Sequence, residues 1–261
     1  LLVAKTFQGG NAKMPKIKAY HRPSTIDEAL RLLNRSGVHT AVLGGGTHLT
    51  AHMDEMVDEV VDLQALNLTE INPAQSRLTL GAMVRLQTLV EDNRIPSWLR
   101  ESAHREGPNT FRHVATIGGV VVGAGQESEL LATLLVSDAE VHLQSKRGSQ
   151  RLTLAEFLKD IPTALAGGLV TAVSLATDGH TASARVGRTP ADSPIVAAVA
   201  RQDSHNMLHL ALCGVAAIPI LVQPDQIAAL KPAGDFRGSS DYRRRMAQIL
   251  AQRVINQVTG Q

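Results

Sequence analysis

Two glycine clusters constrain this chain more than any other feature: Gly44-Gly45-Gly46-Thr47-His48-Leu49, and Thr116-Ile117-Gly118-Gly119-Val120 followed by Gly123-Ala124-Gly125. Each adjoins an apolar run, so each is expected to form a loop at the end of a buried segment. Glycine there permits positive φ and lets consecutive backbone N–H groups point inward, while the missing Cβ lets a phosphate approach the main chain. Thr47 and Thr116 add hydroxyl donors. Any single Gly-Gly pair is ordinarily a tight structural turn. Two clusters far apart in sequence suit a pyrophosphate held from two sides without a group of Lys or Arg.

The familiar nucleotide patterns are absent. Neither cluster reads G-x-G-x-x-G opening a helix, and neither ends in the Gly-Lys-Ser/Thr of a phosphate-binding loop. There is no G-x-S-x-G elbow for a serine nucleophile. Cys213 lies inside the apolar run Leu210–Ala216 and reads as core. His48 and His52 stand four apart near Asp54 and Glu55, but the Glu that a zinc hydrolase carries after its first His is missing. His48 therefore reads as part of the glycine loop and His52 as solvated. His205 and His209 share that spacing, with His205 in a turn.

From Tyr20 to Leu63 the pattern is strand, helix, strand, glycine turn, strand, the alternation of a small parallel α/β unit. Ser24 with Asp27 reads as the capping box of its helix, Ile26, Ala29, Leu30 and Leu33 as the apolar face, and Gly37 as the stop. Asn72-Pro73 reads as a turn before a strand at Leu78–Gly81, and Leu86–Asp92 as a short helix. Val141 and Leu143, then Leu152 and Leu154, flank a turn at 145–150, a hairpin signature. A second hairpin runs through Ala197–Ala200 and Leu208–Leu212, and Ser240–Val258 is an amphipathic helix.

Composition narrows the function. The 26 Lys+Arg nearly balance the 24 Asp+Glu, and the longest basic block is Arg243-Arg244-Arg245, so there is no electrostatic footprint for nucleic acid. Four Phe, two Tyr and one Trp leave little for base stacking. One cysteine excludes an internal disulfide and an iron–sulfur cluster or four-cysteine zinc site ligated within this chain. The composition suits a reducing compartment, and a cytoplasmic location is expected. No uncharged apolar run reaches the ~18 residues of a membrane span. Residues 1–13 read as an upstream extension before Met14.

With both clusters taken together, the chain resembles the FAD-binding subunit of the molybdopterin-containing hydroxylases, the family of xanthine dehydrogenase and of the medium subunit of aerobic carbon monoxide dehydrogenase. The family motif Ala-Gly-Gly-Thr-Asp-Leu aligns with Gly44–Leu49, and Ala-Thr-Ile-Gly-Gly-Asn with Ala115–Val120. Ala-Ser-Pro-x-x-Asp aligns with Ala124–Glu129. Near the end, Asp235-Phe-Arg237-Gly238-Ser239-Ser240-Asp241-Tyr242-Arg243 is similar to the family's Asp-x-Arg-Gly-Ser-Ala-Glu-Tyr-Arg. The four landmarks stand in the family's order over nearly the whole chain from Met14.

The resemblance implies an α+β fold in which two α/β lobes, 14–69 and 70–178, hold noncovalent FAD between them. A shortened lobe of antiparallel strands and helix follows at 179–261. It implies cofactor contacts at Leu43, Gly44, Gly45, Gly46, Thr47, His48, Leu49, Ala115, Thr116, Gly118, Gly119 and Val120. Glu129 is expected toward the ribose or adenine end and Arg185 near the flavin. No side chain is catalytic and no metal is held by this chain. The implied partners are a [2Fe–2S] subunit, a large molybdopterin subunit and NAD or another acceptor.

Departures from the pattern are Val120 for Asn, Gly125-Gln126 for Ser-Pro, and Glu129 for Asp. Losing one hydrogen bond to a charged group costs about 1.5–3 kcal/mol, which lowers affinity without abolishing it. Those departures leave a second reading, a flavin-poor scaffold or assembly subunit. A third, a self-contained flavin oxidase, leaves little chain for a substrate domain.

Overall fold

The computed structural model describes residues 17–51 and 54–260. The N-terminal extension, Met14 and His52 lie outside them. Strands β1 (Ala19–His21), β2 (Thr40–Leu43) and β3 (Glu59–Asp62) form a sheet in the order β1-β3-β2, all parallel, with helix α1 (Ile26–Leu33) as the crossover. The parallel unit is as expected; its cap is shifted by one residue. Thr25, not Ser24, accepts from the Glu28 N–H at 3.2 Å, and the Glu28 carboxylate accepts from the Ser24 N–H at 3.1 Å. Ser24/Asp27 and Thr25/Glu28 have the same spacing, so only the folded chain separates them. The helix also ends before Gly37, at Asn34, whose amide donates to the carbonyls of Leu30 and Gly167, both at 2.8 Å.

The middle of the chain gives strands β4 (Ile71–Pro73) and β5 (Arg77–Gly81), then helices α2 (Leu86–Glu91), α3 (Ser97–Arg105), α4 (Asn109–Arg112), α5 (Ile117–Gly123) and α6 (Glu129–Val136). Hairpin β6 (Glu140–Ser145) and β7 (Gly148–Thr153), helices α7 (Leu154–Lys159) and α8 (Ile161–Leu165), and strand β8 (Leu169–Ala176) complete it. The five strands pair antiparallel in the order β4-β5-β8-β6-β7. Asn72-Pro73 is strand rather than turn, and the reversal falls after it, closed by Ala74 N–H to the Arg77 carbonyl at 2.7 Å. β4 is an edge strand, so the missing proline N–H costs no ladder bond.

The last stretch forms β9 (His180–Val186), β10 (Val196–Gln202), β11 (Leu208–Cys213), β12 (Ile220–Leu221) and α9 (Ser240–Thr259), with sheet order β12-β11-β10-β9. β10 is buried on both faces. Ala197 and Val199 join the core around α6, while Val196, Ala198 and Ala200 join Ala247, Leu250 and Val254 of α9. Every residue of α6 is buried; six of the eight are apolar, and Glu129 and Thr133 are the polar exceptions. The packed interior thus runs from the middle sheet through α6 to the last sheet and α9. Among the described residues, no helix is long and apolar enough to cross a membrane.

Candidate functional site

The first glycine cluster leaves the end of β2, where Leu43 pairs with Asp62, and turns onto the segment before α5. Contact is close: a Cβ on Gly45 would sit 1.8 Å from the Val114 carbonyl oxygen, and one on Gly44 would sit 3.2 Å from Thr116 Oγ1. Gly46 has φ +78° and its carbonyl accepts from both the N–H and the hydroxyl of Thr50, at 2.9 and 2.7 Å. The N–H groups of Gly45, Gly46 and Thr47 donate to no acceptor among the described residues.

The second cluster is not the open loop expected from sequence. It is the first turns of α5, capped by Thr116, whose hydroxyl accepts from the Gly119 N–H at 3.1 Å. The Ile117 and Gly118 N–H groups reach the Val84 and Ala82 carbonyls, both at 2.9 Å, and the Val120 N–H reaches the Thr116 carbonyl at 3.0 Å. A Cβ on Gly118 would lie 2.8 Å from the Ala82 oxygen. The physical reason is tertiary: the chain after β5 supplies carbonyls that consume these donors. Glycine here permits close packing, and the N–H groups open to a ligand belong to the first loop.

Between the two clusters lies a partly open cavity of about 180 Å³. Gly44, Gly45, Gly46, Thr47, His48, Leu49, Thr116, Gly118 and Gly119 line it, bringing most of the sequence-derived residues together. Leu43, Ala115 and Val120 adjoin without lining it; Ala115 is buried and Val120 packs against the main core. The apolar floor was not read from sequence: Leu63, Ala82, Met83, Leu165, Leu169 and Val170. Gly168 also lines the cavity. Among the described residues, no Lys, Arg, Asp or Glu lines it.

Glu129 and Arg185 do not line this cavity; they face each other. Glu129, 1% exposed, accepts from Arg105 Nη1 at 2.8 Å, and its second oxygen lies 3.6 Å from Arg185 Nη1 with no hydrogen-bond partner. Arg185 also donates to the Asp192 carbonyl. Arg105 reaches Glu101 and Ser183 as well, on the wall of a separate polar pocket of about 130 Å³. Beside this network, burial pushes the Glu106 carboxyl up to about 7, with the Glu129 charge adding to it, against hydrogen bonds from Ser128 and the Leu130 N–H. Cys213 is buried in β11, and burial pushes its thiol far up, so it is inert core. Among the described residues there is no cluster of three His, Cys, Asp or Glu placed to hold a metal.

Residues 12–176 match the family model described as the FAD binding domain in molybdopterin dehydrogenase. The chain is 27% identical over 249 residues to the YgfM protein of Escherichia coli K12, covering 90% of this chain and 93% of that one. It is 25% identical over 275 residues to the glyceraldehyde dehydrogenase medium chain of Sulfolobus acidocaldarius, covering 92% and 98%. A solved carbon monoxide dehydrogenase from Hydrogenophaga pseudoflava shares its fold with a TM-score of 0.82 at 21% identity, over 95% of this chain and 99% of that chain.

Proposed function

Since the chain belongs to the family of FAD-binding domains of molybdopterin dehydrogenases, we propose that it is the flavin-carrying electron-transfer subunit of such an enzyme. One observation carries the reading: three backbone N–H groups, at Gly45, Gly46 and Thr47, that donate to no acceptor among the described residues stand at a cavity whose floor is apolar. That set fits a pyrophosphate joined to flat rings. The N–H groups would face the phosphate oxygens, and Leu63, Met83 and Leu169 would shield ring surface from water.

FAD, when bound, supplies the redox chemistry, taking electrons singly or in pairs. This chain's residues bind and orient it. Thr116 fixes the first turn of α5, and Gly45 lets the phosphate loop close on Val114. Glu129 and Arg185, paired with each other, are assigned the joining of α6 to β9 in support of the cleft. The family resemblance extends the proposal to a [2Fe–2S] subunit as electron donor, a large molybdopterin subunit as the site of substrate oxidation, and NAD as one acceptor. The proposal includes a cytoplasmic location, with which a single buried cysteine is in keeping.

Incubation of the folded protein with excess FAD, followed by desalting, tests the reading. Near-stoichiometric flavin in the protein fraction, released as FAD on denaturation, is the expected result. Folded protein that retains no flavin sinks it and favours a scaffold role.

A further inference from the structure

Part of the cavity floor comes from the turn between α8 and β8, where Leu165, Gly168, Leu169 and Val170 line the same space as the first glycine loop. Two successive left-handed residues, Ala166 at φ +40° and Gly167 at φ +75°, shape this turn. Backbone bonds from the Ala166 N–H to the Pro162 carbonyl at 3.0 Å and from the Gly168 N–H to the Leu165 carbonyl at 2.6 Å close it onto α8. Asn34 ties it to the first lobe. Half-buried at the end of α1, this side chain gives one amide hydrogen to the Leu30 carbonyl and the other to the Gly167 carbonyl, both at 2.8 Å, which uses the full donor capacity of the group. The fit is close: a Cβ on Gly167 would lie 2.4 Å from Asn34 Oδ1. Two residues on, Leu169 packs with Ala29 and Leu30 of α1 and with the cavity residues Leu63 and Met83.

We propose that Asn34 is a positioning residue for the bound dinucleotide: by fixing Gly167 to the end of α1, it sets the spacing between the phosphate loop and the apolar floor. The inference rests on the FAD reading of the cavity. Helix α1 leads into β2, whose end carries the glycine loop, so one wall of the cavity moves with α1. The floor at residues 165–169 moves with the turn. A cofactor held by N–H groups on one side and apolar contact on the other gains both only at one spacing, because a gap of about 0.5–1 Å forfeits a quarter to a half of the contact attraction. Without the amide the turn is released from α1, and binding has to order it. Asn34 does not itself line the cavity, so it acts through Gly167.

Equilibrium dialysis of FAD against the full chain tests this, with urea unfolding of the same proteins alongside. Asn34→Ala is expected to weaken binding about three- to ten-fold, the scale of one hydrogen bond. Gly167→Ala, whose Cβ displaces the amide, should do the same, and the double variant should bind no more weakly than the weaker single, because both remove one contact. Gly37→Ala strains a left-handed residue just past α1, at φ +73° with open space around its Cβ, so it lowers stability without touching Gly167 and should leave Kd unchanged. A lowered urea midpoint with wild-type Kd in Asn34→Ala, or an equal loss of affinity in Gly37→Ala, overturns the positioning role and leaves the flavin reading intact. Additive losses in the double variant overturn it equally. Hydrogen exchange on the wild type needs no variant: FAD should protect the amides of residues 165–169 together with those of the 44–49 loop, and protection of the loop alone overturns the proposal. Wild-type protein that is folded by circular dichroism yet binds no FAD removes the flavin reading itself.

Discussion

Gly45 and Val114 approach so closely that one methyl group on the glycine would overlap the Val114 carbonyl oxygen, at 1.8 Å. The phosphate loop and the entry to α5 are thereby a single packed unit, although seventy or so residues of sheet and helix separate them in the chain.

Gly45→Ala is expected to push the loop off this contact. Overpacking costs about 1–3 kcal/mol, so FAD affinity should fall about ten-fold if most of it is taken from the bound geometry. Gly125→Ala is the comparison, because its Cβ would come no nearer than 3.9 Å to Ser128. Dialysis of FAD against both variants checks the difference; equal affinities would refute the account of the contact.

Thr116→Ala removes the hydroxyl that accepts from the Gly119 N–H. Loss of such a cap typically costs about 1 kcal/mol, and Thr116→Ser should restore most of it. Urea unfolding of the three proteins reads this directly. A serine variant as unstable as the alanine one would mean that the methyl group, not the cap, matters.

Glu106 gives a pH signature. Burial raises its folded-state pKa to about 7, so the folded protein binds this proton more tightly than the unfolded chain. Its contribution to stability is fully present below the ordinary glutamate value, declines as pH rises toward 7, and is lost above it. Glu106→Gln keeps an acceptor for the Leu130 N–H without the charge. Thermal melts should show the variant gaining on the wild type between pH 5 and 8; a constant difference across that window would contradict the assignment.

Arg201, 2% exposed, ties the end of β10 to two acids, donating to Asp138 at 2.8 Å and Asp178 at 2.7 Å, and also to the Asp178 and Val136 carbonyls. Hydrogen bonds from Ser204, with the Arg201 charge, hold Asp178 down to about 2. The guanidinium is buried but its acids reach solvent, Asp138 being 51% and Asp178 28% exposed, so Arg201→Ala leaves no buried charge behind and should cost about 1.5–3 kcal/mol, the value of hydrogen bonds to a charged group, read as a lower urea midpoint. Asp178's contribution is present above the usual aspartate range and lost as pH falls toward 2, so Asp178→Asn should flatten the acid limb of the stability curve.

Periodicity and glycine placement made much of the architecture legible in sequence. The parallel unit around α1, the two hairpins and α9 follow from alternation and helical spacing, which are local properties. The first glycine cluster could be placed at the end of β2 for the same reason. Where two local solutions were equivalent, as with Ser24/Asp27 and Thr25/Glu28, the sequence did not choose between them.

The tertiary structure decided what local pattern cannot encode: which groups meet. It turned the second cluster from an open loop into a helix start, because carbonyls at Ala82 and Val84 reach its N–H groups. It assembled the apolar floor from Leu63, Met83, Leu165 and Leu169, which no motif links. It also set Glu129 and Arg185 against each other rather than on the cavity wall. Sequence thus determined the parallel unit, the two hairpins, α9 and the position of the first glycine loop, since these depend on residues a few positions apart. The free donors, the buried charges and the position of His48 at the cavity mouth depend on contacts between distant segments, and only folding fixes those.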